Sequence, residues 1–376
     1  MKIAVQLQGI SGPTGTDSSL TSHGALASPT AGFLDSSGAN SVPSDLSVSP
    51  APVVGPLTAV GSGNHPLVVI VGPTAAGKSA LAVRLATALG GEVLNFDSVQ
   101  AYRGCDLGSG KLSLAERRGV PHHLIDIVEP GATFTAGDFR REGLRALETM
   151  RRHGSIPILV GGSGLYLRSL LVGLFEGPPR SEDLRRRLRE VAGRRGGEFL
   201  HRMLRRKDVA AAARIHFRDT QKVMRALEVC LVARRPFSDL LRLGRQGLAG
   251  FCILKVGLNP PRAELYRRID ARAEQMYAGG LMDEVRSVMT RLGGANGPPL
   301  EALGYRQARS LIEGRMTLAE AVCDTQKATR QYAKRQMTWF RKEPDVRWFE
   351  GFGDDPGVER QILDLLKSAL GASSAA

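Results

Sequence analysis

The chain lacks the features that would mark a secreted, zinc-clustered or membrane-spanning protein. It has 4 cysteines in 376 residues, and Cys105, Cys230, Cys252 and Cys323 contain no C-x-x-C pair. That spacing argues against a disulfide framework or a zinc site and fits ordinary thiols in a reducing cytoplasm. No apolar run serves as a membrane helix of about 20 residues, since the nearest approach, 156–175, is broken by Arg168 and by glycines. A cytoplasmic protein with no membrane partner is expected. The start, "MKIAVQLQGI", makes a poor secretory signal, and an Arg-rich amphipathic transit pattern is missing. Residues 1–65 are dominated by Ser, Gly, Ala, Pro and Thr with few large apolar residues, so a disordered tail is expected there. "GISGPTGT" (9–16) resembles a phosphate loop but has no Lys to follow it, and carries no functional weight.

What the chain does have is positive charge. Lys and Arg number 51 against 37 Asp and Glu, a net charge of +14. The tail holds only Lys2 against Asp17, Asp35 and Asp45, so the remainder is more basic than the whole. Such a balance suits a polyanionic partner.

Residues 67–71 (LVVIV) form an unbroken β-branched run, the pattern of a strand buried on both faces of a parallel sheet. The period then changes, with Leu81, Leu85 and Leu89 four apart and Gly90-Gly91 as a stop, which predicts a helix. "EVLNF" (92–96) ending at Asp97, and "IPILV" (156–160) ending at "GGSG", repeat the strand-to-turn design. From 178 to 248 the sequence is Arg-rich and helical in pattern, "GFCILKVGL" (250–258) returns to strand character, and helical segments run on to the end. The expected fold is therefore α/β: a P-loop NTPase-like, doubly wound parallel sheet core with a helical insertion domain and a disordered N-terminal tail. Its divisions are a tail over 1–65, the first part of the core over 66–177, the insertion over 178–248, and the second part of the core with C-terminal helices over 249–376. In such sheets ligands bind beyond the carboxyl ends of the strands, so Gly72, Asp97 and Gly161 should converge on one edge.

"GPTAAGKS" (72–79) fits G-x-x-x-x-G-K-S between a strand and a helix. In that setting backbone N–H groups face phosphate oxygens, Lys78 supplies a point charge, and the Ser79 hydroxyl can ligate Mg²⁺. No N-K-x-D base-reading motif accompanies it, so the loop alone does not imply a nucleotide. In "NFDSVQAYRGCDLGSGK" (95–111), Asp97 can be a magnesium-ordering residue, a general base or an ordinary helix cap, and the nearby Gln100 and Tyr102 suit a planar base and tilt the reading toward a general base. Adjacent His122 and His123 lack metal-ligand spacing and read as core or hydrogen-bonding residues. Trp339, Phe340, Trp348 and Phe349 read as packing.

Taken together and in order, "GPTAAGKSALA", "FDSVQAYRGCDLGSGK", "GVPHHLIDIVEP", "FTAGDF", "ILVGGSGLYLRSLL", "RDTQKVMRALEV", "ALGYRQ" and "ATRQYAKRQMTWFR" resemble the tRNA dimethylallyltransferases over roughly 66–350. The resemblance implies that the phosphates belong to dimethylallyl diphosphate and that the acceptor is N6 of the adenosine 3′ of the anticodon (position 37), with Mg²⁺ assisting. It implies a diphosphate site of Gly72, Pro73, Thr74, Ala75, Ala76, Gly77, Lys78, Ser79 and Arg272, with Thr74, Lys78 and Asp97 catalytic and Asp97 the base. It implies contacts with the tRNA anticodon stem-loop from Asp97, Ser98, Val99, Gln100, Ser163, Arg185, Gln221, Lys222, Val223, Met224 and Arg225, and it brings Tyr305 near the nucleic acid. A monomer is expected. Ser79 and Ser163 stand where Thr is usual, Lys222 where Arg is usual, and "GSGKLS" lacks the common Pro after Lys. Arg186, Arg187, Arg189, Arg194 and Arg195, with Lys327, Arg330, Lys334 and Arg341, are candidates for phosphate contacts.

Two other functions compete. An ATP-dependent small-molecule kinase would use the same loop but has no need of the basic insertion, and a nucleic-acid-binding ATPase would leave Asp97 to Gln100 idle. Transfer of the same prenyl group to free adenosine monophosphate shares the chemistry but not the charge.

Overall fold

The computed structural model describes residues 65–175 and 177–374. The tail expectation thus lies outside the described residues, except that His65 opens a strand and so belongs to the sheet. Six strands, β1 (His65–Val71), β2 (Gly91–Asn95), β3 (His122–His123), β4 (Ile156–Val160), β5 (Phe251–Asn259) and β6 (Val346–Glu350), form one sheet. Their order is β3-β2-β4-β1-β5-β6. Every pairing is parallel, with Val69 of β1 opposite Leu159 of β4 and Lys255 of β5.

The β-branched run behaves as a central strand should. Leu67 through Val71 have no exposed surface because alternate side chains enter opposite layers. Val68 and Ile70 pack with Leu81 and Leu85 of α1 (Lys78–Leu89), and with Ile362 and Leu366. Leu67, Val69 and Val71 pack with Phe139 and Leu147 of α2 (Ala136–His153), Leu167 and Leu170 of α3 (Gly164–Leu171), and Phe340. The predicted stop of the first helix is real, since Gly90 is its C-cap in the left-handed conformation. "FTAGDF" opens α2 with a capping box, in which Thr135 Oγ1 accepts from Asp138 N and Asp138 Oδ2 accepts from Thr135 N.

Between α3 and β5 the described residues make five helices and no strand: α4 (Glu182–Arg195), α5 (Gly197–Lys207), α6 (Val209–Arg214), α7 (Thr220–Ala233) and α8 (Phe237–Arg242). Leu188, Leu200, Leu204, Val223, Met224 and Leu227 form an apolar cluster among them. After β5 come α9 (Arg262–Ala278), α10 (Leu281–Arg291), α11 (Tyr305–Ile312), α12 (Leu318–Phe340) and α13 (Pro356–Ser374). The expectation of helices alone after β5 is corrected by β6, which pairs with β5 over residues 346–350. Trp348 and Phe349 are spent on that edge, where the Trp348 ring lies over Gly257. His122 and His123 form β3; His123 Nε2 lies 2.6 Å from a Glu92 carboxylate oxygen and His122 Nδ1 2.8 Å from Val120 O. No described helix is long and apolar enough to cross a membrane.

Candidate active site

The turn between β1 and α1 is shaped for an anion. Ala75 and Gly77 both have φ in the left-handed region, at 64° and 81°, and Gly77 caps α1 without a side-chain acceptor. The N–H groups of Gly77, Lys78, Ser79 and Ala80 donate to no group among the described residues, as the open end of a helix leaves its first donors. The sequence-predicted cradle residues 72–79 are therefore together on one turn. Lys78 Nζ donates to Pro73 O at 2.7 Å. Burial pulls its pKa down to about 8, against the raising pull of Asp97 and with a smaller lowering from Arg272.

Arg272 reaches the same place from α9. Its guanidinium lies so close over Gly110 that a Cβ there would stand 1.4 Å from Nη2. Burial lowers its pKa too, with Asp97 opposing. Neither Lys78 nor Arg272 forms an ion pair among the described residues. Two half-buried cations without a carboxylate ion pair favour a polyanionic ligand.

Asp97 follows β2 by two residues and divides its carboxylate between two tasks. Oδ1 accepts from Val99 N at 2.9 Å and from Gln100 N at 3.4 Å, so Asp97 caps a turn over 98–101 and not the start of a helix, since no helix follows it before β3. Oδ2 makes no hydrogen bond among the described residues. Asn95 Oδ1 accepts from Asp97 N at 3.1 Å, and Ser163 Oγ accepts from Ser98 N at 3.2 Å, which fixes the turn against the β4 edge. Gln100 Nε2 donates to Ser109 O and Gly110 O, bracing the loop on which Arg272 rests.

Two chambers meet at these groups. One, of about 530 Å³, is the more polar and includes Lys78, Ser79, Asp97, Gln100, Lys111 and Arg272 in its wall. The other, of about 410 Å³, is mainly apolar, with Val99, Phe134, Tyr166, Ile269, Met276 and Pro299. Thr74, Asp97, Arg272 and Tyr332 belong to both. Gly161 borders the polar chamber, so the expected convergence of the strand ends on one edge is what the sheet produces.

Sequence reasoning missed the roof. On α12, Gln336 Oε1 accepts from Thr74 N at 2.7 Å while its Nε2 donates to Gly162 O at 3.1 Å, and Tyr332 OH donates to the same carbonyl at 3.2 Å. One side chain thus ties the phosphate loop to the turn after β4. The only signal was the four-residue spacing of Tyr332 and Gln336 inside "ATRQYAKRQMTWFR".

Several expected nucleic-acid contacts are placed elsewhere. Tyr305 is fully buried and its hydroxyl donates to Glu284 Oε1 at 2.6 Å. Glu284 in turn accepts from the N–H groups of Asp106, Leu107 and Gly108, so Tyr305 supports a loop and does not face a partner. Arg185 is buried and doubly bonded to Glu228, at 3.1 Å for each contact. Arg225 shares that carboxylate at 2.7 Å. Val223 and Met224 lie in the helical cluster. These three buried positions, Arg185, Val223 and Met224, have too little surface for direct contact. Gln221 and Lys222 are exposed, with Lys222 Nζ paired to Asp219. Among the basic candidates Arg330 pairs with Asp270, Arg186 with Asp183 and Arg189 with Glu182. Arg187, Arg194, Lys327, Lys334 and Arg341 are exposed and form no ion pair among the described residues. Phe340 is core as expected, whereas Trp339 is 40% exposed and lies over Gly164.

A parallel α/β sheet with a turn of free N–H groups at its carboxyl edge, opening into an apolar chamber, makes a site suited to a ligand with an anionic end and an apolar body. The chain belongs to the IPP transferase family, whose model matches residues 100–343. It is 48% identical over 303 residues to a tRNA dimethylallyltransferase of Koribacter versatilis, covering 81% of this chain and 98% of the relative. Against the tRNA dimethylallyltransferase of Solibacter usitatus it is 49% identical over 306 residues, 81% and 99% of the two chains. The crystal structure of the full-length tRNA isopentenylpyrophosphate transferase from Bacillus halodurans superposes with a TM-score of 0.61 at 35% identity, over 83% of this chain and 98% of that one. A eukaryotic dimethylallyltransferase acting on tRNA gives a TM-score of 0.66 at 26% identity, over 79% and 78%.

Proposed function

We propose that the protein transfers the dimethylallyl group of dimethylallyl diphosphate to N6 of the adenosine at tRNA position 37 and releases diphosphate. One observation carries the reading: the free Oδ2 of Asp97 stands where the polar and apolar chambers join, beside two unpaired cations. The diphosphate suits the polar side, against the free N–H groups of the loop, Lys78 and Arg272. The five-carbon chain suits the apolar side. As the allylic C–O bond breaks, its electron pair leaves with the diphosphate, where preorganised donors are worth roughly 3 to 4 kcal/mol each. As the N6–C bond forms, the N6 proton passes to Asp97 Oδ2, general-base help of about 10²- to 10⁴-fold.

No group of three or more His, Cys, Asp or Glu able to hold a metal ion occurs among the described residues. The hydroxyl of Ser79 makes no hydrogen bond there and is a hard oxygen donor of the kind Mg²⁺ takes together with substrate phosphates. Mg²⁺ held by Ser79 and the diphosphate would neutralise charge on the leaving group.

The exposed cations Arg187, Arg194, Lys327, Lys334 and Arg341 suit contacts with the phosphates of the anticodon stem-loop, which offset the few kcal/mol of unstacking the acceptor base. The protein then acts as a cytoplasmic monomer. The test is mass analysis of nucleosides from unmodified tRNA incubated with the protein, Mg²⁺ and dimethylallyl diphosphate, with adenosine monophosphate as an alternative acceptor. The reading predicts a prenylated adenosine at position 37 of tRNA; prenylated adenosine monophosphate alone, or unchanged tRNA, would refute it.

A further inference from the structure

We propose that residues 352–354, held by Arg268, act as a latch that positions the phosphate loop for diphosphate binding. The proposal rests on the reading of that loop as the diphosphate cradle. The segment follows β6 and lies outside the stretch 100–343 that the family model matches. Its backbone is laid directly on the outer side of the turn. Gly353 N donates to Ala76 O at 2.8 Å. A Cβ on Gly77 would stand 3.1 Å from the backbone nitrogens of both Gly353 and Asp354, and a Cβ on Gly353 would stand 2.6 Å from Gly77 O and 3.0 Å from Gly77 C. Arg84, on α1, donates to Gly353 O and to Glu359.

From the other side the segment is held by Arg268. The Arg268 guanidinium lies 3.5 Å from the centroid of the Phe352 ring and donates to both carboxylate oxygens of Asp354 at 2.8 Å. Both carboxylate contacts come from Nη1, while the stack uses the planar face of the guanidinium in a way an ammonium cannot copy. Arg268 precedes Arg272 by four residues on α9, one turn. The helix that brings a cation to the polar chamber therefore also pins the back of the loop facing it.

The turn needs such support. Ala75 and Gly77 are both left-handed, and a non-Gly residue in that region persists only where its surroundings over-determine it. The direction of the free N–H groups depends on those dihedrals. Arg268, Phe352, Gly353 and Asp354 border neither chamber, so they are positioning residues that act through the loop.

Gly353→Ala tests the latch cleanly, because the φ of Gly353 lies outside the left-handed region and the added methyl is opposed only by contact, chiefly with Gly77. Binding of inorganic diphosphate with Mg²⁺, measured by calorimetry on the full chain, should weaken about tenfold or more. The KM for dimethylallyl diphosphate should rise in parallel, while tRNA affinity and kcat at saturation stay within about twofold. Arg268→Lys, which keeps charge but loses the planar stack on Phe352, should weaken diphosphate several-fold with the same pattern, and it serves if the alanine variant does not fold. Wild-type diphosphate affinity in either folded variant, or an equal loss of tRNA affinity, overturns the latch. If the wild-type protein binds no diphosphate, the reading of the loop falls and takes the latch with it.

Discussion

Raising the pH should loosen diphosphate binding before it affects anything else in the site, and Lys78 is the reason. Burial holds its pKa near 8 in the free protein, so its ammonium is present below that pH and lost above it. With that pKa, about nine-tenths of Lys78 is charged at pH 7 and about one-tenth at pH 9, a tenfold change in the binding-competent form and about 1.4 kcal/mol. The ligand adds little slope of its own, since a terminal phosphate loses its second proton near pH 6. Calorimetric titration with dimethylallyl diphosphate and Mg²⁺ from pH 7 to 9, in the absence of tRNA, should give a Kd nearly constant below about pH 7.5 and rising to about tenfold weaker by pH 9. At pH 9, repeating the titration in buffers of different ionisation heat should reveal uptake of close to one proton. Lys78→Arg keeps its charge throughout and should bind with little pH dependence over the same range, whatever its absolute affinity. A flat wild-type profile, or an equally sloped Lys78→Arg profile, would refute the assignment.

Two further substitutions separate support from contact. Gly110 is left-handed, at φ 63°, and Gly110→Ala would also drive a Cβ into the Arg272 guanidinium, so the KM for dimethylallyl diphosphate should rise at least tenfold beside a stability loss of about 1 to 2 kcal/mol from the backbone; an unchanged KM would show that Arg272 does not need its place over Gly110. Tyr305→Phe removes only the hydroxyl bonded to Glu284 and should cost about 1 kcal/mol of stability, read by denaturant midpoint, with tRNA affinity unchanged. A selective loss of tRNA affinity would return Tyr305 to the nucleic-acid interface.

How much of this was legible in the sequence follows from which contacts are local. The first strand, its turn and its helix lie within 65–90, where β-branching, glycine and a four-residue leucine repeat all act between near neighbours, and they appear where the pattern places them. Strand β6 was missed because "VRWFE" is a short edge strand whose side chains are half-buried, so no continuous apolar run betrays it. The cradle and Asp97 were visible because their chemistry sits in contiguous residues. Gln336 was not, because the group it serves, Thr74 N, is 262 residues away, and only folding shows that the amide completes the loop. Tyr305 and Arg185 erred in the other direction: their residue types suit RNA, yet burial against Glu284 and Glu228 commits them to the protein's own framework.

The central claim is that the open oxygen of Asp97 takes the acceptor's proton. It is tested most directly by the single-turnover rate of prenyl transfer in Asp97→Asn, measured beside its affinity for tRNA. Asparagine keeps an oxygen to accept from Val99 N and Gln100 N, so the turn survives the change. The account predicts a transfer step slowed by about a hundredfold or more, with tRNA affinity within about threefold of the wild type. A transfer step at close to the wild-type rate would contradict it.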